Sequence, residues 1–234
     1  MSRHMKRLTA PRAWPVKRKS AVWVTKQSPG AHSKERSVPA VLVLRDMLGM
    51  CDTAREAKRI VANRDILVDG KALKDAKAPV GLMDVVSVPK ADAHYRMLLT
   101  PKGKLTLEAI TKEEAAWKLC RIENKVLVKG GKMQLNLHDG KNILIDENAY
   151  STGDVLKIEV VGQKILGSYP LKEGAPILIC SGKHAGSAAT ISEYMETNIQ
   201  YENVVKFTDG SETVKRNVFV IGAKAPAVKL PEAV

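Results

Sequence analysis

A chain of 234 residues with 38 Lys/Arg, 25 Asp/Glu and a net charge of +13 has room for about two or three small domains and calls for a polyanionic partner. At 4% aromatic it lacks the rings for a surface that stacks successive bases, so a nucleic-acid partner would have to be met through its phosphates and helix shape. Three widely spaced cysteines without a CxxC pair (Cys51, Cys120, Cys180) argue against zinc and for a reducing compartment, and no apolar run nears the roughly 18 residues of a membrane span.

Residues 1–37 read as a basic extended tail. Its first 36 residues hold ten Lys/Arg and one acid, Glu35, so this segment carries +9 of the +13. Pro11, Pro15, Pro29 and Gly30 interrupt it, and by itself it cannot offset its chain entropy by burial. The opening residues are charged but have no apolar run behind them, so no secretory leader is expected. The candidate RNA contacts are Arg3, Lys6, Arg7, Arg12, Lys17, Arg18, Lys19, Lys26, His32 and Arg36. Trp14 joins them, because Trp14 and Trp23 are placed either to stack on unpaired bases or to pin the segment to a neighbour.

Residues 38–89 read as a small α/β module. The apolar run Val41 to Leu44 is closed by Arg45, Asp46 and a stop at Gly49. Thr53 and Glu56 form a capping box that starts a second helix, with Ala54, Ala57, Ile60 and Val61 facing inward. Arg55, Lys58 and Arg59 fall on the opposite side. A strand over Ile66 to Val68 meets the tight turn Asp69-Gly70, and Gly81 to Val88 supplies another strand. Arg45, Arg64 and Lys71 complete the candidate contacts of the module.

This stretch resembles the RNA-binding module named after bacterial small-subunit ribosomal protein S4. Thr53, Ala57, Ile60, Val61, Ile66, Val68, Asp69 and Gly70 stand at the positions of that family's run. Ala54 replaces the family arginine and Arg64 replaces the family glycine before the strand. The resemblance implies RNA binding, with the basic duty moved to Arg55, Arg59 and Arg64.

Residues 90–169 read as a central β-rich domain. Lys104 to Ile110 alternates, then Thr111 and Glu114 form a second capping box that opens a helix ending near Cys120, with Trp117 and Leu119 packed. Strands are expected at Ile122 to Val128, Lys132 to Leu137, Asn142 to Ile145 and Val155 to Val161. Between them lie Gly130-Gly131, Asp139-Gly140 and Gly153-Asp154, a spacing that suggests a small barrel or sandwich. His138-Asp139 is read as part of a turn, since Gly140 follows and no nucleophile stands out.

Residues 170–222 carry an apolar strand that runs into Ser181-Gly182-Lys183-His184-Ala185-Gly186 and out into a second strand. A phosphate-cradling NTPase loop would need glycine at position 177 and Ser/Thr at 184, where Ile and His stand. The stretch resembles the KOW motif, which implies an SH3-like β-barrel. Gly182 and Gly186 would admit backbone N–H groups to phosphate, with Lys183 and His184 as the exposed contacts. Strands at Asn203 to Thr208 and Val214 to Gly222 flank the turn Asp209-Gly210, and Lys215 and Arg216 form a last cationic spot. Residues 223–234 are rich in Ala, Pro and Lys and are expected to fray.

The fold class expected from this order is α+β multidomain: basic tail, S4-like module, central β-rich domain and C-terminal KOW barrel. The order closely resembles the archaeal and eukaryotic ribosomal protein S4e family of the small subunit. The resemblance rests on co-linear blocks: His4 to Leu8, Ser28-Pro29-Gly30 with His32, Pro79 to Val85, Lys118-Leu119-Cys120, His138-Asp139-Gly140 and Asn217 to Gly222. It implies a structural constituent of the cytoplasmic ribosome, of archaeal type, whose partners are small-subunit ribosomal RNA and neighbouring ribosomal proteins. It implies no catalysis, cofactor, metal, membrane or small-molecule substrate. The alternative is a KOW-containing transcription or RNA-processing factor. An RNA-modifying enzyme of the pseudouridine synthase kind would need a Gly-Arg-Leu-Asp type stretch, which the sequence lacks.

Overall fold

A computed structural model describes residues 4–197 and 201–231. The backbone divides into two units, one of residues 1–98, 104–118 and 160–162, the other of 99–103, 119–159 and 163–234.

The first unit opens with a hairpin of β1 (Met5–Lys6) against β2 (Trp23–Val24), followed by β3 (Ser37–Pro39). Helix α1 (Ala40–Leu42) continues as a wider π-type turn over Val43–Met47 and stops before Gly49, which sits at φ 63°. The apolar run Val41 to Leu44 is buried throughout. Helix α2 (Ala54–Ala62) starts at the expected capping box: the Thr53 hydroxyl accepts the Glu56 N–H at 3.3 Å, and the Glu56 carboxylate accepts the Thr53 N–H at 3.2 Å. Strands β4 (Leu67–Val68) and β5 (Lys71–Ala72) turn on Asp69 at φ 49° and Gly70 at φ 70°, the two positive values a type I′ hairpin requires. Then come β6 (Pro79–Gly81), which pairs with β3, and β7 (Val85–Val88).

The S4-like sheet does not close at residue 89. It continues through β8 (Ala93–Leu99) and β9 (Leu105–Ile110), in the order β5-β4-β7-β8-β9. The second capping box, Thr111 with Glu114, is present, but helix α3 covers only Lys112–Ala115. The helix expected as far as Cys120 gives way to a strand, β10 (Trp117–Leu127). Sheet pairing has overridden a weak local preference, and alternation then points Cys120 and Ile122 to one core face.

In the second unit, β10 lies centrally in an antiparallel sheet with β11 (Met133–Leu137), β12 (Asn142–Ile145), β13 (Val155–Glu159) and β14 (Ile165–Tyr169), ordered β12-β11-β10-β13-β14. Cys120, Ile122, Leu135, Leu137, Leu156 and Ile158 form its core. A further five-stranded sheet is built from β15 (Pro176–Ile179), β16 (Ala188–Met195), β17 (Val204–Phe207), β18 (Glu212–Val214) and β19 (Val218–Val220), ordered β18-β17-β16-β15-β19. The segment expected to fray is held as far as Val228, and residues 232–234 lie outside the described residues. Ala227 N–H bonds to the Ile221 carbonyl at 2.7 Å and Val228 is buried, which removes its apolar side chain from water.

Candidate nucleic-acid interface

Helix α2 sorts its side chains by period. Ala57 and Val61 are buried and Ile60 half-buried, while Arg55, Lys58 and Arg59 stand exposed. Glu56 is spent on the cap: the N–H groups of Asp52 and Thr53 hold its carboxyl below the usual range, with a smaller contribution from Arg59. The basic face therefore keeps most of its charge for an outside anion. Arg64 and Lys71 are exposed too. Arg64 sits at φ 61°, the left-handed region, which accounts for glycine at this position in the S4-type run.

The N-terminal segment is folded rather than extended. Trp14 is only 2% exposed and donates its indole N–H to the Lys34 carbonyl at 3.2 Å. Met5 and Ala10 are buried too, and the Leu105 N–H reaches the Ala13 carbonyl at 2.8 Å. Arg7 donates to the Lys17 carbonyl and Arg18 to the Leu8 carbonyl, stitching the segment across its own loop. Composition made the segment look unable to fold, and alone it lacks a core. It borrows one from the rest of the unit.

Two of the sequence blocks meet here. The Ser28 hydroxyl donates to Asp75 at 2.7 Å, a Cβ on Gly30 would lie 2.7 Å from Pro79, and a Cβ on Gly81 would lie 2.3 Å from the His32 ring. His32 Nε2 stands 2.9 Å from Asp84 Oδ2, and Lys118 Nζ lies 3.2 Å from Asp84 Oδ1 and 2.5 Å from Asp69 Oδ2. All four residues are buried. Burial works to raise the Asp84 carboxyl pKa, but the charges of His32 and Lys118 prevail and hold it far below the usual carboxylate range. Asp84 also accepts the Gly81 N–H at 2.8 Å, and Asp69 accepts the Val85 N–H at 3.2 Å. The network was not foreseen, although Lys118, Asp84 and His32 each stand in a recognised block.

Trp14 and His32 are thus corrected from RNA contacts to internal anchors, because both are buried with protein partners. Arg3 lies outside the described residues. Lys6, Arg12, Lys17 and Lys19 are exposed, and Arg7, Arg18, Lys26 and Arg36 half-buried. Arg45 is half-buried and shares its guanidinium with Asp46 at 2.7 Å, the hydrogen bond that raises its pKa.

Between the hairpin and the helices of this unit lies a cavity of about 420 Å³, with Arg7, Lys26, Arg45, Lys58 and Lys77 around it. Met5, Val41 and Ala54 contribute apolar wall, Trp23 stands beside it 58% exposed, and no Asp or Glu lines it.

In the second unit, Gly182 and Gly186 take φ 97° and 91°. They differ in surroundings. A Cβ on Gly182 would meet only the Asn217 amide at 3.6 Å, so that backbone is uncrowded. A Cβ on Gly186 would lie 1.8 Å from the Thr100 carbonyl oxygen, so this glycine is occupied by the protein's own backbone. Lys183 and His184 are exposed as expected. Lys215 is half-buried, donating to the Thr152 hydroxyl at 3.3 Å and lying 5.5 Å from the Tyr194 ring. Arg216 is exposed and pairs with Glu202 at 3.1 Å. The buried Arg121 holds the Arg216 and Val218 carbonyls, each at 2.7 Å.

Cys120, His138 and Asp139 bring a thiol, an imidazole and a carboxylate within 4.8 Å of one another. The Cys120 thiol donates to Asp139 Oδ2 at 3.7 Å, and the other two groups also hold the backbone. His138 Nδ1 accepts the Arg121 N–H at 3.2 Å, and Asp139 takes the Lys141 N–H at 3.1 Å, which is the work of a turn.

The sequence profile of the ribosomal family S4e matches residues 91–165, that of the RS4NT domain residues 1–35, and that of the S4 domain residues 41–86. The chain is 44% identical to the small ribosomal subunit protein eS4 of Ignicoccus hospitalis, covering 98% of this chain and 95% of that protein. It is also 44% identical to the eS4 protein of Methanosphaera stadtmanae, over 97% and 95%. The crystal structure of the 30S ribosomal protein S4e from Thermoplasma acidophilum superposes with a TM-score of 0.71 at 36% identity, covering 80% of this chain and 96% of that one.

Proposed function

The chain belongs to the ribosomal family S4e, and from that membership we propose that it is a structural constituent of the small ribosomal subunit. It binds ribosomal RNA and neighbouring proteins of the cytoplasmic ribosome and carries out no reaction of its own. Likeness to eS4 proteins along nearly the whole chain is the observation that carries this reading. The exposed basic face of α2, within the S4 match, supports RNA contact by Arg55, Lys58 and Arg59, to which the exposed Arg64 and Lys71 of the same match are added.

At the finer level, residues 170–222 act as a KOW-type SH3-like barrel, in which Gly182, Lys183 and His184 face phosphate while Gly186 fixes the loop. Lys6, Arg12, Lys17 and Lys19 add phosphate contacts from the N-terminal segment. The test is sedimentation of native ribosomes through gradients of rising salt. The protein stays with the small subunit at one copy per particle. A protein that washes off at moderate salt, or travels with transcription complexes, refutes the assignment.

A further inference from the structure

The structure leaves one tryptophan in water beside a basic cavity. Trp14 and Trp23 lie on the same N-terminal segment, yet the first is 2% exposed and the second 58%. Leaving that much aromatic surface wet forgoes hydrophobic free energy, so the exposed ring is unexplained by folding. Register fixes its position: Trp23 pairs with Lys6 across the β1–β2 hairpin, and the His4 ring lies 6.0 Å away, tilted by 58°. The adjacent cavity of about 420 Å³ falls within the roughly 300–1,000 Å³ typical of small-ligand sites. Its surround is cationic without a lining acid, and among the described residues the Lys58 and Lys77 ammonium groups have no carboxylate partner, although the Lys77 backbone N–H donates to Asp75 at 2.9 Å.

We propose that this cavity takes one unpaired nucleotide of the bound RNA, its base against Trp23 and its phosphates between Lys58 and Lys77. An aromatic face accepts any base, and two flanking ammonium groups suit the phosphates on either side of an extruded nucleotide. A duplex keeps its bases stacked and offers only its backbone. The site, which takes Lys58 from α2, therefore reads a break in pairing, whereas Arg55 and Arg59 on the outer face of α2 read phosphates in any strand. The inference rests on the RNA-binding reading above and adds the kind of RNA structure recognised.

The experiment uses the full chain and two probes of one mixed sequence, a short single-stranded RNA and the same RNA as a blunt duplex, at fixed salt. Trp23→Ala weakens single-strand binding roughly five- to 150-fold and leaves duplex binding unchanged, while Trp23→Phe retains most of the affinity. Single-stranded RNA quenches the tryptophan fluorescence of the parent protein, and the quench is lost in Trp23→Phe. Because Trp23 is largely exposed, the variants fold, and circular dichroism verifies it. Equal single-strand affinity for parent and Trp23→Ala overturns the nucleotide site while leaving RNA binding intact. So does an equal loss on both probes. A polyglutamate peptide that quenches Trp23 more strongly than RNA would assign the cavity to an acidic peptide instead. If the parent binds neither probe, the RNA-binding reading itself fails.

Discussion

Replacing Asp84 by Asn removes the charge at the centre of the buried network while keeping its shape. His32 and Lys118 then face an amide, and Asp69, 2.5 Å from Lys118 Nζ, keeps its charge. Removing one member of a buried pair costs about 3–5 kcal/mol, because the survivors keep their desolvation penalty. For a unit of this size that corresponds to a fall in melting temperature of about 10–20 °C. The pH dependence has a definite sign. Asp84 has a folded-state pKa below its unfolded value of about 3.9, so its stabilisation is complete above that value and is lost as pH falls below it. Thermal melts by circular dichroism between pH 3 and 7 read both effects. The parent protein loses stability on acidification below about pH 4, and Asp84→Asn starts lower and loses less over that window. Salt should change the difference little, since all four residues are buried. A variant that melts within 3 °C (roughly 1 kcal/mol) of its parent, or shows the same acid slope, would refute a network that ties the N-terminal segment to the S4-like sheet.

Arg55→Ala with Arg59→Ala should leave the melting temperature nearly unchanged, because both side chains are exposed, while the slope of log affinity against log salt flattens by about 2, one unit per lost phosphate contact. Gly186→Ala should cost at least 3 kcal/mol or block folding, since its Cβ would meet the Thr100 carbonyl, whereas Gly182→Ala should cost about 1–2 kcal/mol, the strain of a positive φ, in a urea titration of both. Arg64→Gly should be neutral or stabilising by up to about 1 kcal/mol, because glycine meets no Cβ penalty at φ 61°; a clear loss would mean that the Arg64 side chain holds structure.

Residues within a few positions of one another determine the local features, and those were legible in the sequence. Both capping boxes, Thr53 with Glu56 and Thr111 with Glu114, formed as their spacing dictates. The Asp69-Gly70 hairpin, the strand Asn142–Ile145 and the outward cations of α2 followed from short-range periodicity in the same way. Co-linear blocks disclosed the family, but not what the blocks do for one another. That Ser28-Pro29-Gly30 and His32 pack on Pro79, Gly81 and Asp84 is a statement about distant segments meeting, and no local pattern encodes it. The same holds for Lys118 and Asp69, 49 residues apart. Tertiary structure alone decided which tryptophan anchors the N-terminal segment and which stays in water. It also decided that Gly186 serves backbone packing while Gly182 stays open. The physical reason is common to all of these. A capping bond depends on geometry the chain fixes within one turn, whereas burial of a charge, a ring or a missing Cβ depends on which surface arrives opposite, and only the completed fold supplies that surface.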